Sequence, residues 1–207
     1  MNKISKLSGL LSLIFVATSA VAVAPAQVPA TGEAAGGGAG ATKGVAWPSP
    51  RFIAGTGTTA DCITDKLTGL MWPKNGVIGF EATNGGGPIA QPDYANTTSN
   101  LNQITWAQAL TAVGKMNTAT SKLCGYSDWR LPNKVELSSL VNYGQISPAT
   151  WLNTQGFSNV QANYYWSSST GASNTSLAWV VFFSYGLVYA NGKSTTSYCV
   201  WPVRLGQ

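Results

Sequence analysis

The stretch that most constrains the fold is CGYSDWRLPNKVEL, residues 124–137, in which the signature of a helix start follows a loop. Asn133 is a good N-cap residue, and Glu136, three positions later, completes a capping box. An apolar stripe follows at Val135, Leu137, Leu140 and Val141. The stretch therefore predicts a loop that enters a helix, and we interpret it as scaffold rather than as a site of chemistry.

Two opposite charges lie just before this helix, in a chain in which only 9% of the residues are charged. We expect Asp128 and Arg130 to bridge each other or to hold backbone groups, because a guanidinium can brace an irregular loop through several donors. Trp129, which lies between them, is expected to point inward.

A second helix is predicted at TWAQALTAVGKMN, residues 105–117, with Thr105 as its N-cap. Its apolar face would consist of Trp106, Ala109, Leu110, Val113 and Met116. Upstream, CITDKLTGLMW predicts a turn between Asp65 and Gly69 that leads into a short strand at 70–72.

The last third of the chain has the pattern of an antiparallel sheet. Short aromatic and β-branched runs alternate with turn sequences such as Ser-Tyr-Gly and Asn-Gly. Strands are predicted at 164–168, 178–183, 187–190 and 198–204. Two helices, a long loop region at 75–104 and one small sheet predict an α+β fold.

The N-terminus has the organisation of an export signal, since a basic head precedes an apolar run that ends in small residues. We predict a signal peptide at 1–22, with a retained membrane anchor as the alternative. An Ala/Gly/Pro-rich flexible linker is predicted at 23–59, in which WPSPRF at 47–52 would be the first residues to touch the domain. The folded domain would occupy 60–207. The expected location is secreted, periplasmic or at the cell surface.

The charged residues argue against several function classes. Signal cleavage would remove Lys3 and Lys6, leaving ten basic and seven acidic residues and lowering the net charge from +5 to +3. The remaining lysines are scattered, which argues against nucleic-acid binding. The chain has no histidine, which excludes a Ser-His-Asp triad, a Cys-His pair and the usual zinc sites.

Carboxylate chemistry is also restricted, because Glu136 is the last acidic residue of the chain. A glycosidase-type pair would have to come entirely from the first part. The tripeptide Gln91-Pro92-Asp93 resembles a calcium ligand of sugar-binding lectins, but it precedes both helices and we interpret it as a loop turn.

We interpret the sequons at Asn96 and Asn174 as chance matches. The prediction is a non-enzymatic protein without a cofactor or metal.

Several stretches, taken together and in order, resemble the Lcl C-terminal domain family, a bacterial secreted module. They are CITDKLTGLMW, TWAQAL, CGYSDWRLPNKVELSSLV, YYWSSS, AWVVFFSYGLVY and VWPVR, within residues 61–205. The resemblance implies a C-type-lectin-like fold, similar also to the formylglycine-generating enzymes. It further implies a surface or secreted binding module, since members of the family include adhesins for sulfated glycans. The framework positions that match are Trp72, Trp106, Trp129, Arg130, Pro132, Glu136, Leu137, Trp166, Ser167, Ser168, Trp179, Pro202 and Arg204.

The cysteines alone leave their pairing open, because three of them allow one disulfide and one free thiol. The resemblance implies that Cys62 pairs with Cys124, with a Cys124–Cys199 bond as the alternative. A free Cys199 would lie inside an apolar strand and be inert.

The C-terminal third offers residues suited to recognition. Tyr164, Tyr185, Tyr189 and Tyr198 are expected at turns or strand ends, near Asn191 and Lys193. Tyrosines among small polar residues are typical of binding surfaces, and Lys193 would favour an anionic group. These six are the predicted ligand-binding residues. The predicted function is recognition of an extracellular glycan or surface protein. A structural subunit of a secreted homo-oligomer or filament and a formylglycine-generating-type oxidase are the alternatives.

Overall fold

The computed structural model describes residues 47–80, 92–93, 103–194 and 197–206. The helices of this part are α1 (Trp106–Thr118), α2 (Lys134–Ser138) and α3 (Pro148–Thr154), with short 3-10 turns at Gly57–Thr59 and Leu123–Gly125. The strands are β1 (Phe52–Ala54), β2 (Cys62–Asp65), β3 (Leu70–Pro73), β4 (Gly79–Phe80), β5 (Pro92–Asp93), β6 (Tyr164–Thr170), β7 (Leu177–Phe182), β8 (Leu187–Gly192) and β9 (Arg204–Leu205). The predicted signal peptide and residues 23–46 of the predicted linker lie outside the described residues.

The predicted α+β class is confirmed, but the number of elements differs from the expectation of two helices and one small sheet. The described residues form a four-stranded sheet in the order β1-β2-β3-β9, a three-stranded sheet in the order β6-β7-β8 and the two-stranded pair β4-β5. All these pairs are antiparallel. The C-type-lectin-like assignment stays a prediction.

The last predicted strand, 198–204, is wrong as a single strand of the C-terminal sheet. Tyr198 and Cys199 make isolated bridges to Ile104 and Tyr165, and further on only Arg204–Leu205 form a strand, which pairs with β3 in the other sheet. The segment therefore crosses between the two sheets. Pro202 lies between the two bridged parts and has no N–H to donate to a continuous ladder.

Helix α1 begins and ends close to its predicted bounds. The Thr105 side chain accepts a hydrogen bond from the Gln108 N–H, and the Gln108 side chain in turn accepts from the Thr105 N–H, which completes a capping box. Ala109, Val113 and Met116 are buried as predicted, whereas Leu110 is 39% exposed.

Helix α2 begins at its predicted cap but is short. The Asn133 side chain accepts hydrogen bonds from the N–H groups of Val135 and Glu136, and Glu136 completes the capping box. Leu137 is buried, but the prediction for Val135 is wrong, since it is 67% exposed. The helix ends at Ser138, so Leu140 and Val141 reach the core from the turn that follows.

Helix α3 was not predicted, although the sequence carries its start signal. The Ser147 hydroxyl caps the helix by accepting from the Thr150 N–H, and Pro148 occupies the first turn. Proline is favoured at this position because its missing N–H would have no partner in the helix. Leu152 then buries its side chain in the core.

The folded part begins before residue 60, so the predicted linker boundary is corrected. Phe52–Ala54 form a strand that pairs with β2. Arg51 donates through Nε and Nη2 to the two carboxylate oxygens of Asp65, at 2.8 and 2.7 Å, and both side chains are buried. This ion pair holds the N-terminal strand against the sheet, in agreement with the prediction that residues 47–52 touch the domain.

The hydrophobic core has two parts, which meet at the C-terminal sheet. The first part contains Trp72, Tyr165, Val181, Phe183 and Trp201 together with the buried residues of α2, α3 and the intervening turn. The second part contains Trp129, Trp166, Val180 and the buried face of α1. Because neighbouring residues of β7 face opposite parts, this strand is covered on both sides.

Candidate functional site

Four of the predicted tyrosines come together on the C-terminal sheet, around a phenylalanine. Tyr164 on β6 pairs in register with Phe182 on β7, and their rings stack at 4.2 Å between centroids. The ring of Tyr164 also lies 4.9 Å from that of Tyr198 and 6.0 Å from that of Tyr189. Tyr185, in the β7–β8 turn, contacts Phe182 edge-on at 5.5 Å. We call these five rings the aromatic surface.

The aromatic surface is partly exposed. Tyr185 is 66% exposed and Tyr189 42%, whereas Tyr164, Phe182 and Tyr198 are half-buried. Offset and edge-to-face contacts of this kind stabilise neighbouring rings and fix their orientation. The surface therefore consists of two exposed rings, Tyr185 and Tyr189, next to three half-buried rings, those of Tyr164, Phe182 and Tyr198.

Backbone hydrogen bonds and a buried ring fix the half-buried Tyr198 of this surface. Tyr198 exchanges both backbone hydrogen bonds with Ile104, at 3.0 Å each. Beneath it, the buried Trp166 ring lies 4.8 Å from Tyr198 and donates through Nε1 to the Ile104 carbonyl at 2.8 Å. The position of Tyr198 thus follows from its backbone pairing with Ile104 and from the buried Trp166 ring beside it.

Lys193 does not join the aromatic surface. Its ammonium donates to the Thr170 hydroxyl and to the Thr175 carbonyl, both at 2.9 Å, and lies 4.1 Å from the centre of the Trp106 ring. All three partners are uncharged and leave the positive charge of the ammonium in place, so the expectation that it attracts an anionic group stays a prediction. Asn191 faces Ala178 in the β7–β8 ladder and is half-buried.

Phe182 is the member of the surface that sequence reasoning missed. It was placed within a predicted strand but assigned no role. Its register partner in β6 is Tyr164, and its neighbour three positions on is Tyr185. The alternation of β7 could have identified it, since Phe182 is two residues beyond Val180 and therefore shares its face of the sheet.

The charged loop before α2 is scaffold, with partners that differ from the prediction. Asp128 and Arg130 do not bridge each other. Arg130 instead forms a bidentate pair with Glu136, at 2.7 and 2.6 Å, while Asp128 accepts from Arg204 Nε at 2.7 Å. Trp129 is buried, as predicted.

The two ion pairs shift the pKa values of their carboxylates. The hydrogen bond from Arg204 lowers the pKa of Asp128, against a smaller opposing effect of burial. The hydrogen bond from Arg130 lowers the pKa of Glu136 and raises that of Arg130 itself. Both carboxylates are thus held as anions and serve as structural acceptors.

The cysteines form the disulfide that the resemblance implied, between Cys62 at the start of β2 and Cys124 in the second 3-10 turn. Cys199 is a free thiol with 0% exposure, and burial raises its pKa to about 12. Since the thiolate is the nucleophilic form, this thiol is inert near neutral pH.

Other predicted features lie partly outside the described residues. Gln91 and Asn96 fall there. Pro92–Asp93 form strand β5, which pairs with β4, so the interpretation of Gln91-Pro92-Asp93 as a loop turn is wrong for these two residues. Asn174 is exposed, and its side-chain oxygen accepts from the Ser176 N–H at 3.0 Å. Within residues 47–80, 92–93, 103–194 and 197–206, no three Cys, Asp or Glu side chains come close enough to hold a metal ion. In the same part of the chain, no helix has the length and apolar character needed to cross a bilayer.

Comparison with known proteins identifies the family of the chain. A search of curated proteins found no match to the chain. The family model of the Lcl C-terminal domain matches residues 61–204, which contain the disulfide, the three helices of the described residues and the aromatic surface. The chain therefore belongs to the Lcl C-terminal domain family.

Proposed function

We propose that this protein is an exported, non-enzymatic binding module that recognises an extracellular glycan or a surface protein. The observation that carries the proposal is the aromatic surface formed by Tyr164, Phe182, Tyr185, Tyr189 and Tyr198. Partly exposed rings fixed by a rigid sheet are a common basis for recognition, because little conformational entropy is lost on binding.

The chemistry of the surface favours a glycan over a charged partner. All five residues are uncharged, and four carry a phenolic hydroxyl that can donate and accept hydrogen bonds. An aromatic face packs against the C–H groups of a sugar ring, and neighbouring hydroxyls can then bind its polar edge. Since Lys193 contacts Thr170, Thr175 and Trp106 rather than a member of the aromatic surface, we propose that stacking rather than charge supplies the affinity of this surface.

Two observations support export and a role without catalysis. The Cys62–Cys124 disulfide fits an oxidising compartment outside the cytosol. An oxidase of the formylglycine-generating type would need a reactive thiol, whereas the pKa of Cys199 is raised to about 12 and its side chain is buried.

A glycan array probed with the purified chain, with and without calcium, tests the proposal. We expect binding that does not depend on calcium and is lost in the Tyr185→Ala/Tyr189→Ala variant. The matched control is Val135→Ala/Ile146→Ala, which removes two apolar side chains that are 67% and 96% exposed but lie outside the aromatic surface.

A third variant separates stacking from hydrogen bonding. Tyr185→Phe/Tyr189→Phe keeps both rings and removes only the hydroxyls, so a stacking surface should retain most of its binding. If the folded wild-type chain binds no glycan on the array, the next ligands to test are proteins. Equal loss of binding in the Val135→Ala/Ile146→Ala control would contradict the assigned surface.

The second candidate is a structural subunit of a secreted homo-oligomer. The outer strand of the C-terminal sheet favours it, because this strand exposes apolar side chains and carries no charge. The two candidates are compatible if the assembly leaves the aromatic surface accessible.

A further inference from the structure

Strand β8 is an open edge of the C-terminal sheet. The sheet has the order β6-β7-β8, so β8 pairs on one side with β7 and, among the described residues, with no strand on the other. All six of its residues, Leu187–Gly192, pair with β7 in one continuous register without a bulge. The edge is therefore straight enough for a further strand to be added.

The alternation of the antiparallel ladder identifies the backbone groups that face outward. The Lys193 N–H donates to the Ser176 carbonyl at 3.0 Å, so this pair belongs to the hydrogen-bonded set. Hydrogen-bonded pairs alternate along the ladder, which places Tyr189 and Asn191 in the same set. The N–H and C=O groups of Val188 and Ala190 consequently point away from β7.

The strand that carries these outward groups has, within its own residues Leu187–Gly192, none of the protecting features that natural edge strands carry. Edge strands are usually shielded by a charged side chain, a proline or a bulge. Leu187–Gly192 contains no charge and no proline, and Leu187, Val188 and Tyr189 are 46%, 37% and 42% exposed. Lys193, the first charge beyond the strand, is held by Thr170 and Thr175 rather than standing at the edge.

We propose that two copies of this chain associate through β8, as an antiparallel pair related by a two-fold axis at Tyr189. In this register Val188 lies opposite Ala190 of the second copy, and the two residues exchange both backbone hydrogen bonds. The axis produces the same pair twice, so four hydrogen bonds form. A six-stranded sheet results.

A second copy fits this edge better than an unrelated strand for two reasons. An antiparallel arrangement is self-complementary, since each outward donor of one strand meets an outward acceptor of an identical strand. The edge is uncharged, so two copies of a chain with an excess of basic residues meet where neither repels the other. The pairing also brings Tyr189 beside its counterpart on the same face, which joins the two aromatic surfaces.

Disulfide trapping with Tyr189→Cys tests the register. Residues opposite each other at a non-hydrogen-bonded position have Cα atoms about 4.5 Å apart, within the range for a disulfide. We expect the Tyr189→Cys chain to form a covalent dimer on mild oxidation. In the matched control Val188→Cys, the two cysteines would lie about 8 Å or more apart, too far to bridge. Equal cross-linking of the two variants, or none in either, would overturn the proposal.

Sedimentation of the wild-type chain and of Ala190→Pro tests the backbone contacts. The Ala190 N–H points outward, so proline removes a donor of the dimer without removing one from the β7–β8 ladder. We expect a concentration-dependent doubling of mass for the wild type and for Ala190→Val, and its loss in Ala190→Pro with unchanged circular dichroism. A wild-type chain that sediments as a monomer or a trimer throughout would refute the proposal.

These outcomes are independent of the proposed glycan binding. Monomeric Ala190→Pro keeps every member of the aromatic surface, so it should still bind a monovalent ligand of that surface. Dimerisation without any ligand would leave the inference intact while removing support from the proposed function.

Discussion

Arg51 and Asp65 form an ion pair that is almost completely withdrawn from water, with side-chain exposures of 3% and 0%. Asp65 also accepts from the Leu67 N–H and the Thr68 hydroxyl, and Arg51 donates to the Ser139 carbonyl. The guanidinium lies 4.5 Å from the centre of the Trp47 ring and 4.6 Å from that of Phe52. The pair thus connects the N-terminal strand to the end of α2.

Removal of one partner should be costly, because the other charge stays buried. We expect Arg51→Ala to lower the free energy of unfolding by about 3–5 kcal/mol, measured by urea denaturation. The control is Arg130→Ala, which breaks a pair whose arginine side chain is 45% exposed. An exposed pair contributes at most about 1 kcal/mol. Similar losses in the two variants would contradict the structural role assigned to Arg51.

The two depressed carboxyl pKa values predict an acid-sensitive stability. Asp128 and Glu136 have pKa values below their ordinary 3.8 and 4.5, so the folded state binds fewer protons than the unfolded state in this range. Their contribution is complete above the ordinary values and is lost as pH falls through the lowered ones. As the pH is lowered from about 5 to about 2, the urea concentration at the unfolding midpoint should therefore decrease less steeply in Asp128→Asn/Glu136→Gln than in the wild type. An unchanged slope would refute this assignment.

Residue-scale predictions from sequence succeeded for most buried side chains, with Val135 and Leu110 as exceptions, and failed for partners. The inward position of Trp129 followed from its size and apolar character. The partner of Asp128 is Arg204, 76 positions away, and no local pattern specifies such a contact. The aromatic surface shows the same division, since its tyrosines were identified by residue type, whereas Phe182 is identified only by the alternation of β7 and its register with β6.

At the scale of the element, the entry to α2 depends on one side chain. Asn133 accepts from two N–H groups of the first turn, and α2 has only five residues with which to stabilise itself. We expect Asn133→Ala to cost about 1 kcal/mol in urea unfolding. Asn133→Asp, which keeps an acceptor at the cap, should retain most of the stability. If both variants were equally destabilised, capping would not be the cause.

Elements with a complete local signal were predicted well. The cap and apolar face of α1 identified that helix within a residue at each end, and aromatic runs between turn sequences identified β6, β7 and β8. Strands β1 and β2, and the pair β4-β5 within the predicted loop region 75–104, were missed because they are short and their partners are chosen by tertiary contacts. The assignment of 198–204 to one sheet failed for the same reason, since sheet membership depends on topology rather than on β propensity.

At the scale of the whole molecule, the disulfide joins two distant parts of the chain. Cys62 and Cys124 are 62 positions apart, and closing a loop of this length restricts the unfolded chain by about 4 kcal/mol. We expect reduction to lower the unfolding free energy by roughly this amount, measured in urea with and without a reductant. Cys199→Ala should show the same sensitivity to the reductant. If the reductant left the unfolding free energy of the wild type unchanged, the proposed stabilisation by the Cys62–Cys124 disulfide would be contradicted.

The same arrangement predicts the behaviour of the thiols. Under non-reducing conditions the folded chain should react with a thiol reagent at no site, because Cys199 has 0% exposure and the other cysteines are bonded. Unfolding in denaturant should release one equivalent, and Cys199→Ala should release none. Rapid labelling of the folded wild type would show an accessible thiol and would reopen the oxidase alternative.

The crossing segment at residues 198–205 has a consequence for biosynthesis. It bridges Ile104, Tyr165 and Arg130 in turn, and then pairs with β3. Its Trp201 donates to the Pro73 carbonyl and contacts the rings of Trp72 and Phe157. Because these residues follow all of their partners in the sequence, the ribosome makes the segment that connects the two sheets only after those partners. The contacts between the two sheets through this segment therefore form late in synthesis, after the strands of both sheets other than β9 have been made.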